Sequence, residues 1–170
     1  MMEHLMQPSE VLALSRPTST HVEEEDINIF IDESEQMDII PAIGAQLYLD
    51  LLASPDDEKY TTLLAGGHYE GLKGEKKIFK GLKTSLAYFV YARLVKNDGK
   101  ILGQSGFLSH DDEYASKVED KQKYVSYNDT MNVAKKYLAD VLEYLKSTDA
   151  SFDKKARVKN NGTRILAIGD

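Results

Sequence analysis

The chain has 170 residues, a formal net charge of −7 and no cysteine. A single domain of that size buries roughly 70% of its unfolded surface, so it needs no disulfide or metal to hold it together. The composition excludes disulfides, thiolate metal sites and a cysteine nucleophile, and the acidic balance argues against attraction to a phosphate backbone. No basic and apolar leader opens the chain, and no apolar run approaches the ~18 residues of a membrane span. The expectation is a soluble protein, intracellular at synthesis, with the sequons at Asn128 and Asn161 unused.

Residues 1–20 read as an N-terminal arm, rich in Pro, Ser and Thr without a sustained period, in which a short helix over Ser9–Ser15 fits. The body is expected over 21–147. Acidic Glu23–Asp26 suits a helix N-terminus, and Ile27, Phe30, Ile31, Ser34 and Met37 follow on one face. The residue before a proline is pushed out of helical space, so this helix is expected over 24–39. Pro41 then opens a second helix over 41–53, with Ile43, Leu47, Tyr48 and Leu51 as its apolar face. Pro41 and Gly44 thus mark a structural corner, with Gly44 expected where another backbone comes close. Ser54 as a cap, Pro55 at the first helical position and the acids Asp56–Glu58 in the first turn predict a helix over 56–65, stopped by Gly66 and Gly67.

"HYEGLKGEKK" (His68–Lys77) reads as a surface loop. It lacks the Lys-Ser/Thr ending of a phosphate loop, and no strand precedes it. A helix is predicted over 76–97 with Phe79, Leu82, Leu86, Phe89 and Arg93 on one face. From Leu86 to Val95 nearly every position is apolar or aromatic and Arg93 is the sole charge. A helix of that kind is buried on all sides, at the centre of the fold or under another subunit. Residues 99–116 form either a long loop or a small hairpin from Ile101-Leu102 and Phe107-Leu108. The last helix, 118–147, carries the stripe Met131, Ala134, Tyr137, Leu138, Val141, Leu142 and Leu145. The fold class is therefore all-α, a bundle of about four to five helices with extended arms at both ends.

No catalytic signature emerges. "HDDE" (His110–Glu113) is a run of adjacent loop residues without a second histidine at helical spacing, and it reads as a solvated acidic loop. "GQSGF" falls one residue short of a nucleophile elbow. The tyrosines track helix faces and read as core or interface residues. Neither a cofactor nor a metal site is expected, and the chain does not read as an enzyme. One charge feature rises above the acidic background. The C-terminal arm, 148–170, concentrates Lys154, Lys155, Arg157, Lys159 and Arg164 before the apolar Ile165, Leu166 and Ile168. A solvated end is one reading. An arm that orders against an acidic partner is the other, and the closing apolar residues favour it.

Three strings, "DESEQMDIIPAIGAQLYLDLL", "YTTLLAGGHYE" and "FKGLKTSLAYFVYARLV", in this order and spacing, resemble the head–tail connector or adaptor proteins of tailed bacteriophages. The likeness is to ring proteins of crAss-like and other Bacteroidetes phages, and it covers about Ile27–Val95. The resemblance implies a non-catalytic helical adaptor in the virion, assembled in the host cytoplasm. Its subunits would form a ring, commonly of twelve, below the portal. DNA would pass through without sequence-specific reading, and no membrane would be involved. Portal and neighbouring ring or tail proteins would be the partners. The C-terminal Lys154–Ile168 and the 99–116 segment, with Phe107 and Leu108, would be candidate contacts. The alternative from composition alone is a small helical regulatory module that binds a soluble protein partner.

Overall fold

The computed structural model describes residues 4–17, 22–97, 100–103, 106–109 and 120–148. It is a helical body with two small hairpins. Among the described residues, seven helices follow in order: α1 (Pro8–Leu14), α2 (Glu24–Ser34), α3 (Ile40–Ile43), α4 (Ala45–Ala53), α5 (Glu58–Ala65), α6 (Leu82–Asn97) and α7 (Asp120–Thr148). A π-helical turn, Glu35–Ile39, joins α2 to α3. Strands β1 (Gly67–Glu70) and β2 (Lys76–Phe79) pair antiparallel, as do β3 (Lys100–Gly103) and β4 (Gly106–Ser109).

Helix α6 is the centre, as its apolar circumference requires. Leu82, Leu86, Ala87, Phe89, Val90 and Ala92 are buried, and α1, α2, α5 and α7 pack around it. Its main partner is α7, whose Met131, Ala134, Leu138, Val141 and Leu145 are buried. Small residues let the two axes come close. Ser85 donates from Oγ to the Ala134 carbonyl at 3.0 Å, which satisfies a buried hydroxyl across the contact. The Tyr88 and Tyr137 rings meet edge to face at 5.3 Å.

Four expectations are corrected. First, the N-terminal stretch does not stand off as an arm over its described part. Gln7 and Glu10 close a capping box on α1. Leu5, Met6 and Val11 are buried in the common core, and Lys83 reaches Glu10 at 2.7 Å. Second, the corner lies at Gly44 and not at Pro41. Ile40 stays helical (φ −57°, ψ −44°) although a proline follows. The Ile40 N–H bonds to the Glu35 carbonyl, five residues back, and this widened turn makes room for the Pro41 ring. The break comes at Gly44, φ 87° and ψ 145°, a backbone that L side chains rarely adopt. A Cβ built there meets nothing within 4 Å, so close approach of a neighbouring backbone is not its purpose. Pro41→Ala is accordingly expected to shift stability by less than about 1 kcal/mol, which thermal melting would check.

Third, Asp57 and not Ser54 caps α5; its carboxylate accepts the Lys59 N–H at 3.0 Å. Pro55 instead serves a turn closed by the Asp57 N–H on the Ser54 carbonyl. Fourth, residues 67–79 form a hairpin, so α6 begins at Leu82 and Phe79 belongs to a strand. Gly71 and Gly74 make its tight connection: the Gly71 N–H bonds the Glu75 carbonyl, and the Gly74 N–H that of Gly71. Tyr69 and Phe79 turn inward and join Tyr144 of α7. Ring centroids are 5.6 Å apart for Tyr69–Phe79, 5.3 Å for Tyr69–Tyr144 and 4.5 Å for the stacked Phe79–Tyr144. Lys77 ties the same edge to α7, with Nζ 2.9 Å from Glu75 and 2.5 Å from Glu143. Within 99–116, the described residues 100–103 and 106–109 pair as in the hairpin alternative, with Leu102 opposite Phe107 and Ile101 opposite Leu108.

Candidate functional site

The π turn changes which side chains face inward. Met37, expected on the apolar face, falls inside that turn and is 70% exposed, while Glu35, one α-helical turn after the buried Ile31, is 1% exposed. An unpaired carboxylate at that depth would be very costly. Glu35 is instead surrounded by donors. Its Oε1 accepts the Leu5 backbone N–H at 2.8 Å. Its Oε2 accepts the Tyr48 hydroxyl at 2.9 Å and lies 2.8 Å from His4 Nδ1. The carboxylate therefore ties the N-terminal strap and α4 to the π turn.

Burial, and next the hydrogen bond to Glu35, hold the Tyr48 phenol above its ordinary ionisation range, so it stays a donor. An acid whose proton is held more tightly in the folded state stabilises the fold fully below the unfolded pKa. That stability is lost as pH rises above about 10. Burial pushes Tyr69 and Tyr144 in the same direction. Stability measured by denaturant titration is expected to fall as pH goes from 9 to 11, with a shallower fall in Tyr48→Phe.

Arg93 forms a second node on the other side of the turn. Its Nη1 donates to Ser34 Oγ at 3.1 Å, and Nη2 stands 2.7 Å from Asp38 Oδ2, an ion pair without hydrogen-bond alignment. Its Nε is 3.4 Å from Glu33. Ser34 in turn donates to the Phe30 carbonyl at 2.6 Å, a back-bond that competes with the helical ladder just where it widens. The two nodes join four chain segments by side chains that hold one another. None of the three principal grooves of the described surface is lined by these residues, so the cluster acts as a lock in the fold.

The groove at the Gly44 corner is different. It has a volume of about 560 Å³ and is open to solvent. Ile43, Leu47, Tyr60, Leu63 and Leu145 give it an apolar floor, and Thr148, the last residue of α7, stands in its wall. Asp50 and Lys59 line its edge, and the exposed acids Asp56, Asp57 and Glu58 precede Lys59 in the chain at the start of α5, Asp56 lining a separate groove with Glu10 and Lys83. Lys59 lies over the Tyr60 ring at 4.3 Å.

Among the candidate contacts read from sequence, Pro41 is exposed and Gly44 lines this groove. Phe107 and Leu108 are placed by backbone pairing in β4. Lys154, Lys155, Arg157, Lys159, Arg164, Ile165, Leu166 and Ile168 lie outside the described residues, as does the His110–Glu113 run. Sequence reasoning missed Glu35 altogether. The signals that were there are Ser34 within an apolar face and Arg93 as the lone charge of a buried helix, each needing a polar partner. Among the described residues, no group of three or more His, Asp or Glu could hold a metal, and no helix is long and apolar enough to cross a membrane.

No curated protein and no solved structure matches the chain. Residues 39–164 match a family described as "Family of unknown function (DUF6712)". The matched stretch takes in the corner, the groove, both hairpins and the basic C-terminal run as far as Arg164, and covers well over half of the chain; the chain belongs to this family.

Proposed function

We propose that the protein is a structural component of a tailed-phage virion, a ring subunit of the head–tail connector. Its partners would be further copies of itself, the portal and an adjacent ring or tail protein, with DNA passing through the opening. The observation that carries this reading is the ordered likeness of Ile27–Val95 to such adaptors. The surface supports it. A head-to-tail ring needs two different complementary patches on each subunit. The described surface offers unlike candidates. Ile29, Met37 and Leu49 are 56%, 70% and 57% exposed along α2 to α4, beside the acidic start of α2. Leu72 and Ile78 are each 80% exposed on the first hairpin. Isolated exposed apolar residues are ordinary, but these stand on two separate elements. An acidic subunit also suits a channel along which DNA slides without sticking.

Native mass spectrometry of the full chain over a range of concentrations tests the proposal. A closed species is expected, at about 229 kDa for twelve subunits of 19.1 kDa. A stable two-fold dimer at every concentration would overturn it in favour of the regulatory module.

A further inference from the structure

We infer that the groove at the Gly44 corner receives the Ile165–Ile168 segment of a second copy of this chain. The choice of a second copy rests on the ring reading, which requires two unlike patches per subunit; the groove and this segment are such a pair.

Three observations support the match. The chain leaves α7 at Thr148, in the wall of the groove itself. The sixteen residues 149–164 reach at most roughly 55 Å when extended, well over the roughly 15 Å radius of gyration of a compact 170-residue chain, so the segment can leave one copy and enter the next. The chemistry is complementary. Ile165, Leu166 and Ile168 suit the floor of Ile43, Leu47 and Leu63, and Lys154, Lys155, Arg157 and Lys159 suit the exposed acids Asp56, Asp57 and Glu58 that open α5, the helix whose Lys59, Tyr60 and Leu63 line the groove. Basic residues ahead of the apolar anchor would guide the segment to those acids before it seats.

The absence of cysteine makes a direct test possible. Gln46 is exposed in the groove wall. A full-length Gln46→Cys protein, isotope-labelled, is mixed with an unlabelled Leu166→Cys protein and oxidised gently. Mass spectrometry then counts the mixed disulfide dimer. A control replaces the first partner by Lys121→Cys, exposed at the far end of α7. Docking predicts mixed dimer at least about tenfold above the control, because seating raises the local thiol concentration. Equal yields would overturn the inference. In a chain carrying both substitutions, docking between copies gives a ladder of linked chains, whereas a disulfide confined to single chains would overturn it in favour of self-docking. Failure of the ring reading shows separately, as preferential mixed dimers from a protein whose native mass spectrum lacks a closed species.

Discussion

Glu35→Ala is expected to cost about 3–5 kcal/mol, as when one partner of a buried charged network is removed. The Leu5 N–H and the Tyr48 hydroxyl would both be left without an acceptor in the core, and His4 would lose its anion. For a chain of this size, that corresponds to a fall in melting temperature of about 6–20 °C. Glu35→Gln keeps an acceptor for one of the donors and is expected to lose only about 1–3 kcal/mol. The strap should report the change locally, with the Leu5 amide exchanging faster in the alanine variant. A melting temperature within 2 °C or so of the parent would show that the lock contributes little.

Gly66→Ala should be as damaging for a different reason. Gly66 closes α5 at φ 86° and ψ −179°, a region open almost only to glycine. It also faces Gly81 across the base of the first hairpin. A Cβ on Gly66 would stand 2.7 Å from the Gly81 nitrogen, and one on Gly81 would stand 2.5 Å from the Leu64 carbonyl oxygen. Backbone, which cannot swing aside, is what would have to move. Strain and overlap together are expected to cost at least about 3 kcal/mol. Gly44→Ala is the control. It shares the positive φ but meets open space, so about 1–2 kcal/mol is expected. The ordering can be read from paired melting curves, and equal losses in the two variants would remove the overlap from the account.

The helical class was legible because its evidence is long. Helix α7 repeats its apolar stripe for about four turns, from Met131 to Leu145, and α6 is apolar around its circumference, which left a central place or cover by another subunit as its two readings. The hairpins were hard to read because four residues give period two no room to declare itself. In "GHYE" and "KKIF" the inward residues are Gly67, Tyr69, Lys77 and Phe79, and only two of those are apolar or aromatic side chains. The Pro41 corner was misplaced by a rule that is sound for an α-helix. The π turn changes the bonding pattern the rule presumes, so the chain runs on to Gly44. Glu35 escaped notice for another reason: it stands at i+4 from Ile31 in the regular α phase, and a carboxylate there reads as surface until its donors from Leu5 and Tyr48, on other segments, are in view. As for the groove, its walls come from α3, α4, α5 and α7, and no single stretch of sequence describes a shape made between four elements.

The strap and α2 have a further consequence, for how far the chain can be shortened. The family match begins at residue 39, inside the π turn, yet Leu5, Met6, Val11, Ile27 and Ile31 lie before it and are buried. The matched stretch is therefore smaller than the unit that folds here. A chain cut back to 39–164 would bare the side of α6 that α1 and α2 now occupy and would need another cover for it.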